Sequence, residues 1–77
     1  MSIKVRYFAS LRETMGRVEE NLAPEGIATV ADVWKAVAQG RPLPEQVLCA
    51  VNMEYADPAA RVEDGDEVAF FPPVTGG

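Results

Sequence analysis

The side chains that most often do chemistry are scarce in this 77-residue chain. It has no histidine and one cysteine, so it cannot assemble a Ser/His/Asp or Cys/His arrangement, an imidazole base or a histidine-ligated metal. One thiol without histidine also excludes an internal disulfide and a structural zinc site. Cys49 lies in the apolar run Val47-Leu48-Cys49-Ala50-Val51, where a free cysteine behaves as a small buried hydrophobe, and no neighbouring cation would lower its pKa. Asp64, Asp66 and Glu67 crowd around Gly65 but lack the ligand spacing of a calcium loop, and they read as a tight turn. Arg12 and Arg17 read as solvated surface charge, and Lys35 as the exposed side of a helix. The reactive group that remains is the carboxylate of Gly76-Gly77. With no Cβ over two residues, such an end can thread a narrow channel into another protein's catalytic centre. Coupled to ATP, it would become an acyl adenylate with AMP as leaving group. A sulfur donor would then give a thiocarboxylate, and an amine would give an amide.

The residues before that diglycine read as its mount. Asp64-Gly65-Asp66 is turn chemistry, and Glu67 to Phe71 alternates as a half-buried strand. Pro72 and Pro73 lack backbone donors and hold φ near the polyproline value, so they end the strand and aim Val74-Thr75-Gly76-Gly77 outward as a tail over 72–77.

The elements that must position this tail follow from periodicity. Ile3, Val5 and Tyr7 alternate with Lys4, Arg6 and Phe8, the pattern of a first strand with one buried face. Ser10-x-x-Glu13 suggests a capping box for a short helix with Leu11 and Met15 inward, stopped by Gly16. Arg17 to Leu22 reads as a charged edge strand. Thr29-x-x-Asp32 is a second capping box, opening a helix whose Val30, Val33, Trp34 and Val37 recur at helical spacing until Gly40 and Pro42. Trp34→Ala should be among the costliest changes. Val47 to Val51 reads as a strand, Asn52 to Tyr55 as a turn and brief fourth strand, and Ala56 to Glu63 as a loop with a helical turn after Pro58. One amphipathic helix covers one face of a sheet. If the first strands form a hairpin and the last lies beside the first, the result is an α+β, ubiquitin-like β-grasp: a mixed four- to five-stranded sheet with one main helix on one face. The other face would then carry Phe8, Ala69 and Phe71, an apolar patch suited to docking.

Composition narrows the partners. A chain of this length buries only about 60% of its unfolded surface, which leaves little room for a catalytic cavity and argues for a single domain over 1–77. Seven basic against twelve acidic residues give a formal charge of −5, the wrong sign for nucleic acid and suited to docking on a basic protein groove. No apolar run is long enough for a membrane span and Met1 to Phe8 lacks the features of a signal peptide, so a cytoplasmic location is expected.

Four stretches together carry a resemblance. Ile3-Lys4-Val5 to Leu11-Arg12-Glu13, Thr29-Val30-Ala31-Asp32, Ala50-Val51-Asn52 and Asp64-Gly-Asp-Glu-Val-Ala-Phe-Phe-Pro-Pro-Val-Thr-Gly-Gly77 resemble, nearly end to end, the small sulfur-carrier subunits of molybdopterin synthase. The resemblance implies a chain that is non-catalytic alone and binds no cofactor. An ATP-dependent activating enzyme would adenylate Gly77, and a persulfide-bearing sulfurtransferase would supply sulfur to make the 1-thioglycine thiocarboxylate. The large synthase subunit, in a heterotetramer, would use it to build the dithiolene of molybdopterin from cyclic pyranopterin monophosphate, two carriers being consumed. It also implies that Phe8, Val62 and Phe71 contact the large subunit and the activating enzyme, with Pro72, Pro73, Val74, Thr75 and Gly76 leading Gly77 in. Other readings are a carrier for thiazole synthesis, a protein modifier linked to lysines, or an interaction domain with an inert tail.

Overall fold

The computed structural model describes residues 1–73, so the sequence expectations for Val74, Thr75, Gly76 and Gly77 lie outside the described residues. Seven elements follow in the order β1 (Ile3–Tyr7), α1 (Ser10–Met15), β2 (Glu19–Leu22), α2 (Val30–Val37), β3 (Leu48–Val51), β4 (Glu54–Ala56) and β5 (Glu67–Phe71). The strands form one mixed sheet in the order β2-β1-β5-β3-β4. The first two strands pair antiparallel with Val5 opposite Glu20, and the last lies parallel to the first with Val5 opposite Val68, as the β-grasp reading expects. Because β5 is hydrogen-bonded on both sides, its three middle residues Val68, Ala69 and Phe70 are all buried. The alternation read from its sequence holds by parity: Val68 and Phe70 are fully buried in the core, while Glu67, Ala69 and Phe71 take the other face, where the small Ala69 is shielded by its longer neighbours.

Helix α2 supplies the apolar layer against this sheet, burying Val30, Val33, Trp34 and Val37. Its capping box is formed: Thr29 Oγ1 accepts from the Asp32 N–H at 3.3 Å, and Asp32 Oδ2 accepts from the N–H groups of Ala28 and Thr29 at 3.0 and 3.1 Å. Two more donors of the first turn, those of Val30 and Ala31, bond the carbonyls of Ala60 and Pro58. Those carbonyls are thereby used across the fold, and the turn expected after Pro58 is a single hydrogen-bonded one, the Ala60 N–H bonding the Asp57 carbonyl at 2.9 Å, that does not extend into helix. Thr29 and Arg61 form an isolated bridge instead. At the other end, the helix stops at Val37, earlier than Gly40. Gln39 takes the left-handed backbone at φ 58, and the Gly40 N–H closes back on the Lys35 carbonyl at 2.7 Å.

The Ser10 capping box is absent. Phe8 N–H still belongs to the sheet, donating to the Phe70 carbonyl, so the chain has only Ala9 in which to turn. Ala9 becomes the N-cap at φ 52 with no side-chain cap bond, and Ser10 is already inside the helix. Gly16 ends α1 in the left-handed conformation as expected, with Leu11 buried and Met15 half-buried.

Two aspartates tie the fold to pH. The backbone N–H groups of Ala28 and Thr29 hold the Asp32 carboxyl below the ordinary range, and the Glu63 N–H and Asn52 amide do the same for Asp66 in the turn before β5. A depressed folded-state pKa adds stability above the unfolded value of about 4, and that stability is lost as pH falls through the folded pKa. Melting temperature should therefore drop below about pH 4, and Asp32→Asn or Asp66→Asn should make that acid slope shallower in thermal melts across pH.

Candidate functional site

The face of the sheet opposite α2 is built by strand parity. Lys4 and Arg6 point to it from β1, Glu67, Ala69 and Phe71 from β5, and Phe8 continues the series past the end of β1. Phe8 and Phe71 stack with ring centroids 4.8 Å apart and planes 11° from parallel. The guanidinium groups of Arg6 and Arg12 lie 5.4 and 5.9 Å from the Phe8 ring centroid. Both phenylalanines are half-buried, as is Pro72, whereas Pro73 is exposed where the chain leaves β5. The expected patch of Phe8, Ala69 and Phe71 thus exists at the root of the proline pair.

The structure extends this patch beyond what the residue pattern suggested. Tyr55 on β4 brings its ring to 6.1 Å from Phe71, and Met53 at the hairpin tip lines the same depression. Strand β4 was readable only as a brief extension of a turn. Asn52 at φ 50 and Met53 at φ 71 make the tight connection into it, and a methionine is not a residue whose presence signals such a turn.

Val62 does not join the patch. It is only 4% exposed, packs in the core with Val30 and Val33, and its N–H bonds the Ala28 carbonyl at 2.9 Å. Its place under the α2 N-terminus follows from the Thr29–Arg61 bridge, which no short-range pattern discloses. Val62→Ala should accordingly lower unfolding free energy by about 2 kcal/mol, two methyl groups of transfer plus a small cavity. Phe8→Ala should cost less in stability and more in partner affinity. Urea unfolding beside a binding titration checks the division; a fully stable Val62→Ala variant would refute it.

The other polar residues are structural. Arg17 is not simply solvated: its Nε meets Glu20 Oε2 at 2.6 Å, and its terminal nitrogen donates to the Val37 carbonyl at the α2 C-terminus. The same Glu20 oxygen accepts from the Tyr7 hydroxyl at 2.6 Å, and burial together with that carboxylate drives the phenol far above its usual pKa. Arg12 Nε donates to the Tyr7 carbonyl at 3.3 Å, so it too is engaged. Lys35 is exposed, as expected. Cys49 is buried, with Sγ 3.0 Å from the Ala56 carbonyl, and burial followed by the charge of Asp57 raises its pKa. Such a thiol is held in its unreactive form. Asp64 and Gly65 form a turn closed by the Asp66 N–H on the Glu63 carbonyl, with Asp66 Oδ2 accepting the Glu63 N–H at 2.8 Å, and Glu67 already belongs to β5. Among the described residues, no group of three metal-ligating side chains converges, and no helix is long and apolar enough to cross a membrane.

Residues 5–77 match the ThiS family. The chain belongs to it. Among curated relatives, the Escherichia coli molybdopterin synthase sulfur carrier subunit is 38% identical, over 97% of this chain and 99% of its own length. The protein of the same name in Chlamydomonas reinhardtii is 37% identical over the whole of both chains. In structure, this ThiS-family chain superposes on SAMP1, the small archaeal modifier protein 1 of Haloferax volcanii. The TM-score is 0.83, at 29% identity over 100% of both chains. The β-grasp architecture is therefore shared with its relatives, and a chain of this family is similar both to sulfur carriers and to a modifier.

Proposed function

We propose that this chain carries sulfur for molybdopterin synthesis. The observation that carries the reading is the end-to-end likeness to the E. coli sulfur carrier subunit, reinforced by an open face whose Phe8–Phe71 stack adjoins the proline pair. In this reading the Gly77 carboxylate attacks the α-phosphorus of ATP and releases pyrophosphate. The outer sulfur of a persulfide donor then displaces AMP, which leaves with one carboxylate oxygen, and a thiol cleaves the resulting acyl disulfide to release the thiocarboxylate, itself ending in a disulfide with the donor. The large synthase subunit receives that sulfur for transfer to cyclic pyranopterin monophosphate. This chain's residues contribute docking and delivery: the Phe8–Phe71 face seats the domain, Pro72 and Pro73 direct the exit, and Gly76 and Gly77 pass a channel too narrow for side chains. Activation and sulfur transfer belong to the partners.

Incubation with the activating enzyme, ATP and a sulfur source should raise the intact mass by one oxygen-to-sulfur exchange. The loaded chain should then support molybdopterin formation by the large subunit. An unchanged mass under conditions that load the E. coli relative would sink the proposal. The likeness to SAMP1 favours one second reading, in which Gly77 is joined to lysines of other proteins. Higher-mass conjugates in cells, abolished by removing Gly77, would support that alternative.

A further inference from the structure

The chain holds five arginines and two lysines, and the two kinds of cation are sorted by position. Arg6 and Arg12 flank the root of the tail: their guanidinium groups lie 5.4 and 5.9 Å from the Phe8 ring centroid, and that ring stacks on Phe71, the last residue of β5. Arg17 is at the same end, because the Val18 carbonyl accepts the N–H of Tyr7 where β1 finishes. The amines are elsewhere. Lys4 is the register partner of Glu67, at the opposite end of β5, and Met1 precedes it. Lys35 stands on α2, across the sheet from Phe8.

Four residues follow Pro73, a contour of at most about 14 Å. That length is enough to bring Gly77 back onto Arg6 or Arg12 beside the root. Lys4 is set about 13 Å behind Phe8 along β1, and Pro73 is two residues beyond Phe71, so only full extension of the tail and of the lysine side chain together would close the gap.

The sorting matters for an acyl group in transit between proteins. A thiocarboxylate is inert to amines until its sulfur attacks a disulfide, the S–S bond breaks and a thiolate leaves, giving an acyl disulfide. An amine then attacks the acyl carbon: a C–N bond forms, the C–S bond breaks, the nitrogen loses its proton and a perthiolate leaves. The product is an amide, and the carried sulfur is lost. A guanidinium, with a pKa above about 12, stays protonated and takes no such part, whereas an ammonium near about 10.4 always keeps a nucleophilic fraction.

We propose that Arg6, Arg12 and Arg17 govern acceptor specificity by exclusion: they place positive charge around the tail root without an amine that could capture the loaded acyl group. The inference rests on the sulfur-carrier reading, which puts the activated carbonyl on Gly77. Stacking and forked bonding favour arginine in their own right, as in the contacts of Arg17 with Glu20 and Val37. Covalent closure of the chain is a readout that this structural preference leaves untouched.

Full-length chain carrying the Gly77 thiocarboxylate, made by sulfide cleavage of an intein fusion so that no partner is needed, is exposed to oxidised glutathione and followed by intact mass. The wild type should form a glutathione adduct that a reducing thiol returns to the thiocarboxylate. Arg6→Lys and Arg12→Lys should each close at least about tenfold faster than the wild type, into a product one water lighter than the carboxylate form that the thiol does not reverse. The rate should rise about tenfold per pH unit below the lysine pKa, and peptide mapping should find Gly77 on the new lysine. Arg61→Lys is the control, since Arg61 is bridged to Thr29 at the start of α2 and leads into the beginning of β5. Wild type closing on Lys4 or Lys35 as fast as the variants, neither variant closing, or Arg61→Lys closing as fast as they do would each overturn the inference and leave the sulfur-carrier reading standing. An activating enzyme that cannot load Gly77 would remove that reading, and this inference with it.

Discussion

Replacing Phe70 by alanine should cost about 3–5 kcal/mol of unfolding free energy, the largest loss expected from any single substitution in the domain. Phe70 is fully buried on the central strand, faces Tyr7 across the parallel β1–β5 ladder, and meets Trp34 of α2 edge-on with centroids 4.9 Å apart. Its ring therefore joins the middle of the sheet to the helix layer, and truncation would open a cavity between the two. Trp34→Ala, which composition alone would rank first, should cost less than its size suggests. Trp34 Nε1 is buried with no hydrogen-bond partner among the described residues, a penalty of about 1–3 kcal/mol that truncation removes. Urea unfolding of both variants decides the order. A native margin of about 5–15 kcal/mol makes the Phe70 loss large enough to threaten the fold. A Phe70 variant that loses under about 1.5 kcal/mol would contradict this account of the core.

Removal of Gly77 should abolish sulfur loading outright. Twelve acidic side chains and a terminal carboxylate on Gly76 remain in the truncated chain, so the experiment separates a reaction that needs the full reach of the diglycine from adventitious activation of any carboxylate. Intact mass after exposure to activating enzyme, ATP and a sulfur source should show no exchange, while circular dichroism reports an unaltered fold. A truncated chain that still gains sulfur would move the chemistry elsewhere and remove the basis of the proposed function.

Much of the architecture is written locally. The Thr29–Asp32 capping box and the Val30, Val33, Trp34, Val37 stripe are short-range patterns, and each appears in the structure where the pattern puts it. Strand parity likewise placed Phe8 and Phe71 on one face. The misread features depend on distant partners. Ser10 lost its capping role because Phe8 was claimed by the β5 ladder, Pro58 and Ala60 gave their carbonyls to α2, and Val62 was drawn under the same helix. The depression beside Phe71 was equally illegible: Ala50, Ala69, Tyr55 and Arg6, which line it, come from four strands and meet only through register. A methionine in a left-handed turn gave no warning of the hairpin that completes it.

The place of β5 between β1 and β3 has a consequence for synthesis. While a ribosome is still translating the stretch before Glu67, four strands exist but the one that joins them does not. The two halves of the sheet cannot be joined, so the sheet is completed only after β5 leaves the exit tunnel. A prematurely terminated product lacks the middle of its sheet and cannot present Phe8 against Phe71. Chains cut short before Glu67 therefore lack the strand that holds the two halves together and are left open to proteolysis.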